Sequence, residues 1–170
     1  MVENRGTPQG VRFREGTLAD LDAVLDLLNE SAQWLLDRGI RQWFVPFPRT
    51  LIENDLRNHR VFLATTGIDL IATGTALTAD PRFWGDQPPG SWYIHRLARR
   101  RDVPGTGRLL LNSIEERARR ESVERIRLDC SAALGPYYEA AGYTRQWSMS
   151  VLGSISTPPG SLWFCYEKSL

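Results

Sequence analysis

"YIHRLARRRDVPGTGRLLLNSIEERARR", residues 93–120, holds the stretch on which the fold turns. It reads as a strand, a Gly-Thr-Gly turn and a helix. Leu111, Ile114 and Ala118 form an apolar stripe, and Glu115–Arg119 and Glu116–Arg120 are i,i+4 pairs assigned to the wet face. Three phosphate-binding patterns compete for the turn. A nucleotide P-loop needs Lys and a hydroxyl residue after its second Gly, where Arg108 and Leu109 stand. A dinucleotide fingerprint needs a third small residue, where Leu110 stands, and belongs after the first strand of its fold. The third pattern fits. Gly105 and Gly107 at a helix start let backbone N–H groups approach a pyrophosphate, and Arg99, Arg100, Arg101 and Arg108 supply mobile counter-charge. The plainer alternative is that Pro104-Gly105 is a common turn beside solvated arginines.

Working outward, Val11–Arg14 alternates as a short strand, and Thr17 with Asp20 resembles a capping box. Leu21, Val24, Leu25 and Leu28 recur at helical spacing. Ser31 reads as the cap of a second helix, with Gly39 as its stop. Residues 40–50, "IRQWFVPFPRT", form a greasy loop, followed by a helix over about 50–58. "VFLATT" and "LIATGTALT" make a hairpin about Gly67-Ile68-Asp69, 80–90 is a loop, and "SWYIHRLA" is the next strand. After the opening stretch come a strand at 124–130, a helix at 133–142 and two closing strands. The order, β-α-α-β-β-β-α-β-α-β-β, implies an α/β or α+β domain. Residues 1–10 read as a tail, and 11–170 as one domain.

The chain has 170 residues, enough for one substantial core, and a formal net charge of +1. That balance gives no global argument for nucleic acid or an anionic membrane. The first ten residues lack a signal-peptide core, and no run approaches the ~20 apolar residues of a membrane span. Cys130 and Cys165 are too few for a disulfide framework and read as buried thiols of a cytoplasmic protein. His59 and His95 with two distant cysteines have no zinc-ligand spacing, so no metal is expected. Some of the six tryptophans are expected to line a pocket for an organic ligand.

The stretch 93–111, followed by a strand and then "YYEAAGY" (137–143), resembles the GNAT superfamily of acyl-CoA-dependent N-acetyltransferases. Tyr137-Tyr138-Glu139-Ala140-Ala141-Gly142-Tyr143 matches that family's (Phe/Tyr)-Tyr-Glu-x-x-Gly-(Phe/Tyr) signature without a break. "VRFREGTLADLDAVLDLL" also looks like its first strand and helix, so the resemblance covers about residues 11–168. Two departures stand out. Asp102 sits where the family usually has Gln or Arg, and Ser131–Pro136 carries no Asn.

The resemblance implies a GNAT fold, a mixed and mostly antiparallel sheet of six to seven strands, splayed at its centre and flanked by about four helices. It implies acetyl-CoA as cosubstrate. Leu97 and Ala98 would pair with the pantetheine amides, while Arg99, Val103, Pro104, Gly105, Thr106, Gly107 and Arg108 would wrap the pyrophosphate. Tyr138 aligns with the general acid, and Tyr137 is then expected in the core. His95 aligns with the base, and its ordinary pKa of about 6.5 suits that task, although a structural His would look the same. Strand alternation places Ser91, Tyr93, His95 and Leu97 on one face. Trp34, Trp43, Phe44 and Tyr93 are the candidate acceptor pocket, favouring a small-molecule amine. A protein or peptide acceptor and a non-catalytic acyl-CoA-binding module are the alternatives. Exposed strands near the C-terminus are candidates for pairing in a homodimer.

Overall fold

In the computed structural model, residues 10–151 and 161–170 are described. The expected tail lies outside them except for Gly10. Seven strands form one sheet: β1 (Val11–Glu15), β2 (Arg60–Thr66), β3 (Asp69–Leu77), β4 (Ser91–Arg99), β5 (Arg125–Ser131), β6 (Thr144–Val151) and β7 (Ser161–Ser169). Their order across the sheet is β1-β2-β3-β4-β5-β7-β6. Every pair is antiparallel except β4–β5, which is parallel.

Two helices, α1 (Leu21–Leu36) and α2 (Arg49–Asn58), lie on one face. α1 begins where its sequence says it should: Asp20 Oδ2 accepts the Thr17 N–H at 2.8 Å. The Arg14 guanidinium beside Asp20 also holds that carboxyl down to about 2. Ser31 does not start a second helix. It sits buried inside α1, and its hydroxyl donates to the Arg99 carbonyl at 3.1 Å. Nothing around Ser31 forces a break, and a buried serine finds its partner across the core instead. Leu27, Leu28, Ile52, Val61, Leu63 and Ala98 pack together on this face.

The opposite face carries α4 (Thr106–Arg120) and α5 (Gly135–Glu139), with Leu110, Leu111 and Ile114 packed on Phe62, Ile94 and Leu128. Full burial of one such side chain stabilises the fold by about 2 kcal/mol. The 80–90 loop contains a further short helix, α3 (Pro81–Trp84), with Pro at its start, where its missing N–H costs nothing. Among the described residues, five α-helices therefore flank the sheet.

One irregularity re-aims β4. Thr73 pairs with Ala98 and Thr75 with His95, so β4 carries one residue more than β3 over this span. Arg96 absorbs the bulge at φ 53°, and its guanidinium pairs at 2.6 Å with the buried Asp55 of α2. A non-glycine residue held there costs roughly 1–3 kcal/mol, so neighbouring contacts must over-determine it. Strict alternation therefore fails at Leu97. That side chain turns to the α4 face, where it packs near Gly74 and Ile114, while Tyr93 and His95 stay on the other face.

Candidate active site

The parallel pairing of β4 and β5 stops early. Its last rung joins Ile94 to Leu128, and beyond it the strands carry no further rungs. The notch so formed opens onto a cavity of about 220 Å³. Leu97, Ala98 and Arg99 of β4 line one wall, and Leu134, Tyr137 and Tyr138 line the other. Trp34, Leu35, Gln42 and Trp43 close it from α1 and the loop after it, and Gly107 and Arg101 stand at its outer end.

At that end α4 presents its N-terminus. Gly105 precedes the helix at φ 84°, a conformation that side chains disfavour. The N–H groups of Gly105, Thr106 and Gly107 donate to no acceptor among the described residues. The Thr106 hydroxyl is turned inward, donating to the Val103 carbonyl at 2.9 Å. A Cβ on Gly107 would lie 3.2 Å from the Tyr137 hydroxyl, so a side chain there would crowd the approach to these amides. Open amides, a helix dipole and a cradle that a side chain would fill fit a pyrophosphate.

The arginines are more engaged than mobile. Arg99 Nη1 donates to the carbonyls of Arg100 and Arg101 at 2.8 and 3.2 Å. Arg100 pairs with Glu30. Arg101 lies 4.4 Å above the Trp34 ring and donates to Ser31 Oγ at 3.3 Å. Arg108 donates to the Ala140 carbonyl at 3.1 Å, which ties α4 to the end of α5. Together they build a rigid cationic rim.

The two tyrosines of the signature differ from expectation. Tyr137 is not core: it is 42% exposed, with its hydroxyl over the α4 N-terminus. Tyr138 is 8% exposed and packs on Tyr143 and Tyr166, with ring centroids 6.1 and 6.2 Å away. Burial pushes its phenol well above the usual value, aided by Cys130, Tyr137 and Asp129. It is therefore protonated at any working pH, and its hydroxyl has no partner among the described residues. Cys130 is fully buried, and burial raises its thiol far above the usual range, as suits a small apolar residue.

On the other face stands a group of polar side chains. His95 and Asp129 are the first residues of their strands beyond the last rung. Asp80, from the turn before α3, completes the group: His95 Nε2 lies 3.1 Å from Asp80 Oδ2 and 4.0 Å from Asp129 Oδ1. Burial raises the Asp129 carboxyl to about 6, opposed mainly by His95. One donor atom from each residue lies within 4.8 Å of the other two, so these three could hold a metal, which His and Cys spacing alone does not reveal. The signal in the sequence was the pair of charges Arg127 and Asp129, alternating with Ile126, Leu128 and Cys130 along one strand.

Trp34, Trp43, Leu97, Ala98, Arg99, Gly107 and Tyr138 are thus brought together around one cavity. Phe44, Tyr93 and the expected base His95 do not line it. Phe44 is 40% exposed, and Tyr93 is buried against Trp84, its hydroxyl accepting from Arg127 Nη1 at 2.9 Å. Gln42 was missed within a loop that reads as merely greasy. Its Oε1 accepts the Ser131 N–H at 2.8 Å and so pins that loop across the notch.

No family model matches the chain. Over 155 residues it is 32% identical to an uncharacterised N-acetyltransferase, YesJ, of Bacillus subtilis (strain 168), with 84% of this chain and 86% of that one covered. Among solved structures, a GNAT-family acetyltransferase from Listeria monocytogenes 4b F2365 superimposes with a TM-score of 0.73 at 23% identity, covering 94% of this chain and 95% of that one. PaiA N-acetyltransferase from Thermoplasma acidophilum, solved in complex with coenzyme A, gives 0.69 at 14%, covering 94% and 99%. The splayed sheet and its notch are those of an acyl-CoA-dependent N-acetyltransferase. The chain belongs to the GNAT superfamily.

Proposed function

We propose that this enzyme moves the acetyl group of acetyl-CoA onto the amine of a small molecule by direct attack on the thioester. The observation that carries the reading is the vertex of the notch. Tyr138 reaches it from the α4–α5 side, and His95 stands at it on the other side. The free amides of residues 105–107 and the rim of Arg99 and Arg108 would hold the pyrophosphate, and Leu97-Ala98 would pair with the pantetheine arm as an added strand.

An alkyl amine, with a pKa near ~10, arrives protonated at pH 7. His95 takes one proton, directly or through a water. The freed lone pair attacks the thioester carbon, and a main-chain N–H at the end of β4 stabilises the oxyanion. As the C–S bond breaks, its electron pair goes to sulfur and Tyr138 donates the proton. The amide nitrogen sheds its remaining extra proton, which restores the phenol. The small cavity and its cover of Trp34, Trp43 and Gln42 favour a compact acceptor over an extended peptide. A free-thiol release assay with acetyl-CoA, run against a panel of small amines and a panel of peptides, tests this. Turnover confined to peptides would overturn it.

A further inference from the structure

Three donor atoms from three separate elements converge on one buried point. Asp80 Oδ2 comes from the turn before α3, His95 Nε2 from β4 and Asp129 Oδ1 from β5. One donor atom from each residue lies within 4.8 Å of the other two. The side chains of Asp80 and Asp129 are only 8% and 4% exposed, and that of His95 is 16% exposed. Among the described residues, none of the three atoms has a hydrogen-bond partner. His95 Nε2 stands 3.1 Å from Asp80 Oδ2, yet the two are not aligned as a hydrogen bond. Buried polar atoms are ordinarily satisfied. Three left open toward one another point to a ligand that takes an electron pair from each.

We infer that Asp80, His95 and Asp129 form a three-ligand site for a divalent transition-metal ion such as Zn²⁺, and that the bound ion inhibits acetyl transfer. The binding stands apart from the reaction, and only the inhibition rests on the proposed function. A zinc ion about 2.1 Å from nitrogen and oxygen ligands holds them about 3.4 Å apart in a tetrahedron. The separations of His95 from Asp80 and Asp129, 3.1 and 4.0 Å, bracket that value, so small side-chain rotations bring all three onto one ion. An imidazole beside two carboxylates suits zinc better than magnesium or calcium, which prefer oxygen alone. The backbone beneath the ligands is fixed. The last rung of β4 and β5 joins the residues just before His95 and Asp129, and the Trp84 N–H donates to the Asp80 carbonyl at 3.0 Å. Arg82 and Arg96 act on Asp129 through their fields, and neither donates a hydrogen bond to the converging oxygens. Their positive charge works against a dication and limits its affinity. An ion on Nε2 takes the lone pair with which His95 would accept the proton of the acceptor, so the occupied enzyme loses its base.

The test titrates Zn²⁺ alone into the untagged, chelator-stripped chain by calorimetry, for wild type, Asp80→Asn, His95→Gln, Asp129→Asn and His59→Gln. Wild type and His59→Gln should bind one ion per chain. Each of the other three should bind at least about 100-fold more weakly, the upper end of what losing even an outer-shell partner costs. A second measurement on wild type needs no variant to fold. The chain has two histidines, so with ¹⁵N-labelled histidine Zn²⁺ should shift the ring nitrogens of His95 and leave those of His59 in place. Mg²⁺ at the same concentration should do neither. No binding to wild type, full-strength binding in Asp129→Asn, or a shift at His59 alone would overturn the inference. Turnover is scored separately on the acetylated amine, because zinc captures thiols. It should fall in step with occupancy and return with chelator. Binding at His95 with turnover untouched would remove the inhibition and the base role of His95 together, and leave the metal site standing.

Discussion

The Tyr143 hydroxyl donates to Glu115 Oε1 at 2.9 Å, and Lys168 Nζ reaches Glu115 Oε2 at 2.7 Å. The last residue of the "YYEAAGY" signature thereby anchors the end of α5 to the middle of α4. Glu115 was assigned to the wet face, but its residue is only 3% exposed. Its i,i+4 partner Arg119 stays at 3.7 Å, and Lys168 of β7 is the nearer cation.

Lys168→Met should therefore destabilise the protein by about 3 kcal/mol, because it leaves a buried carboxylate with only the more distant and more exposed Arg119 as its cation. Tyr143→Phe should cost only about 1 kcal/mol, since Glu115 keeps Lys168. Chemical denaturation of both variants checks the ranking. Equal effects would mean that the ion pair adds little beyond the hydrogen bond.

Gly107→Glu should abolish acetyl-CoA binding measured by calorimetry. The new side chain would start 3.2 Å from the Tyr137 hydroxyl and bring a negative charge to the open amides of α4. Gly107→Ala, which adds only the methyl, should weaken binding less. Unchanged affinity in the Glu variant would remove the pyrophosphate from this turn.

Asp129 carries a pH signature of its own. Its carboxyl is raised from 3.8 to about 6 by burial, so the folded state holds the proton more tightly than the unfolded chain. The stability this lends is complete below about pH 4 and is withdrawn as pH rises through about 6. Asn does not titrate. Asp129→Asn should thus gain on wild type between pH 4 and pH 8, by about 2 kcal/mol from linkage. Urea melts at the two pH values measure it, and a gap that shrinks toward pH 8 would contradict the burial of this charge.

Much of the fold was legible because its signals are local. The glycines at 105 and 107, the helical stripe of Leu111, Ile114 and Ala118, and the hairpin about Gly67 each act within a few residues. What escaped is set by tertiary contact. The bulge at Arg96 depends on Asp55, some forty residues earlier, and it alone breaks the alternation that would place Leu97 beside His95. Ser31 looks like a cap until Arg99 supplies its acceptor. Asp80 joins His95 and Asp129 only because the parallel strands part where they do, and no short motif records that.

Tyr138 and Tyr137 provide the sharpest test of the chemistry. They are adjacent, with ring centroids 5.0 Å apart, and both line the cavity, yet their surroundings differ. Tyr138 is buried beside Cys130, burial raises its phenol well above the usual value, and in the proposed reaction it would give up its proton only as negative charge builds on sulfur. Tyr137 is 42% exposed, with its hydroxyl over the α4 N-terminus. Tyr138→Phe keeps the ring and its packing on Tyr143 and Tyr166 and removes only the hydroxyl. Its stability should change by less than about 1 kcal/mol, because that hydroxyl has no described partner to lose. The kcat should fall roughly 10- to 1,000-fold, the scale of losing one general acid, with acetyl-CoA affinity nearly unchanged. Tyr137→Phe should leave kcat near wild type and act, if at all, on acetyl-CoA affinity, since its hydroxyl faces the turn rather than the vertex. Reversed outcomes would place the acid one residue earlier. Silence in both would mean that thiolate departs with a proton from water.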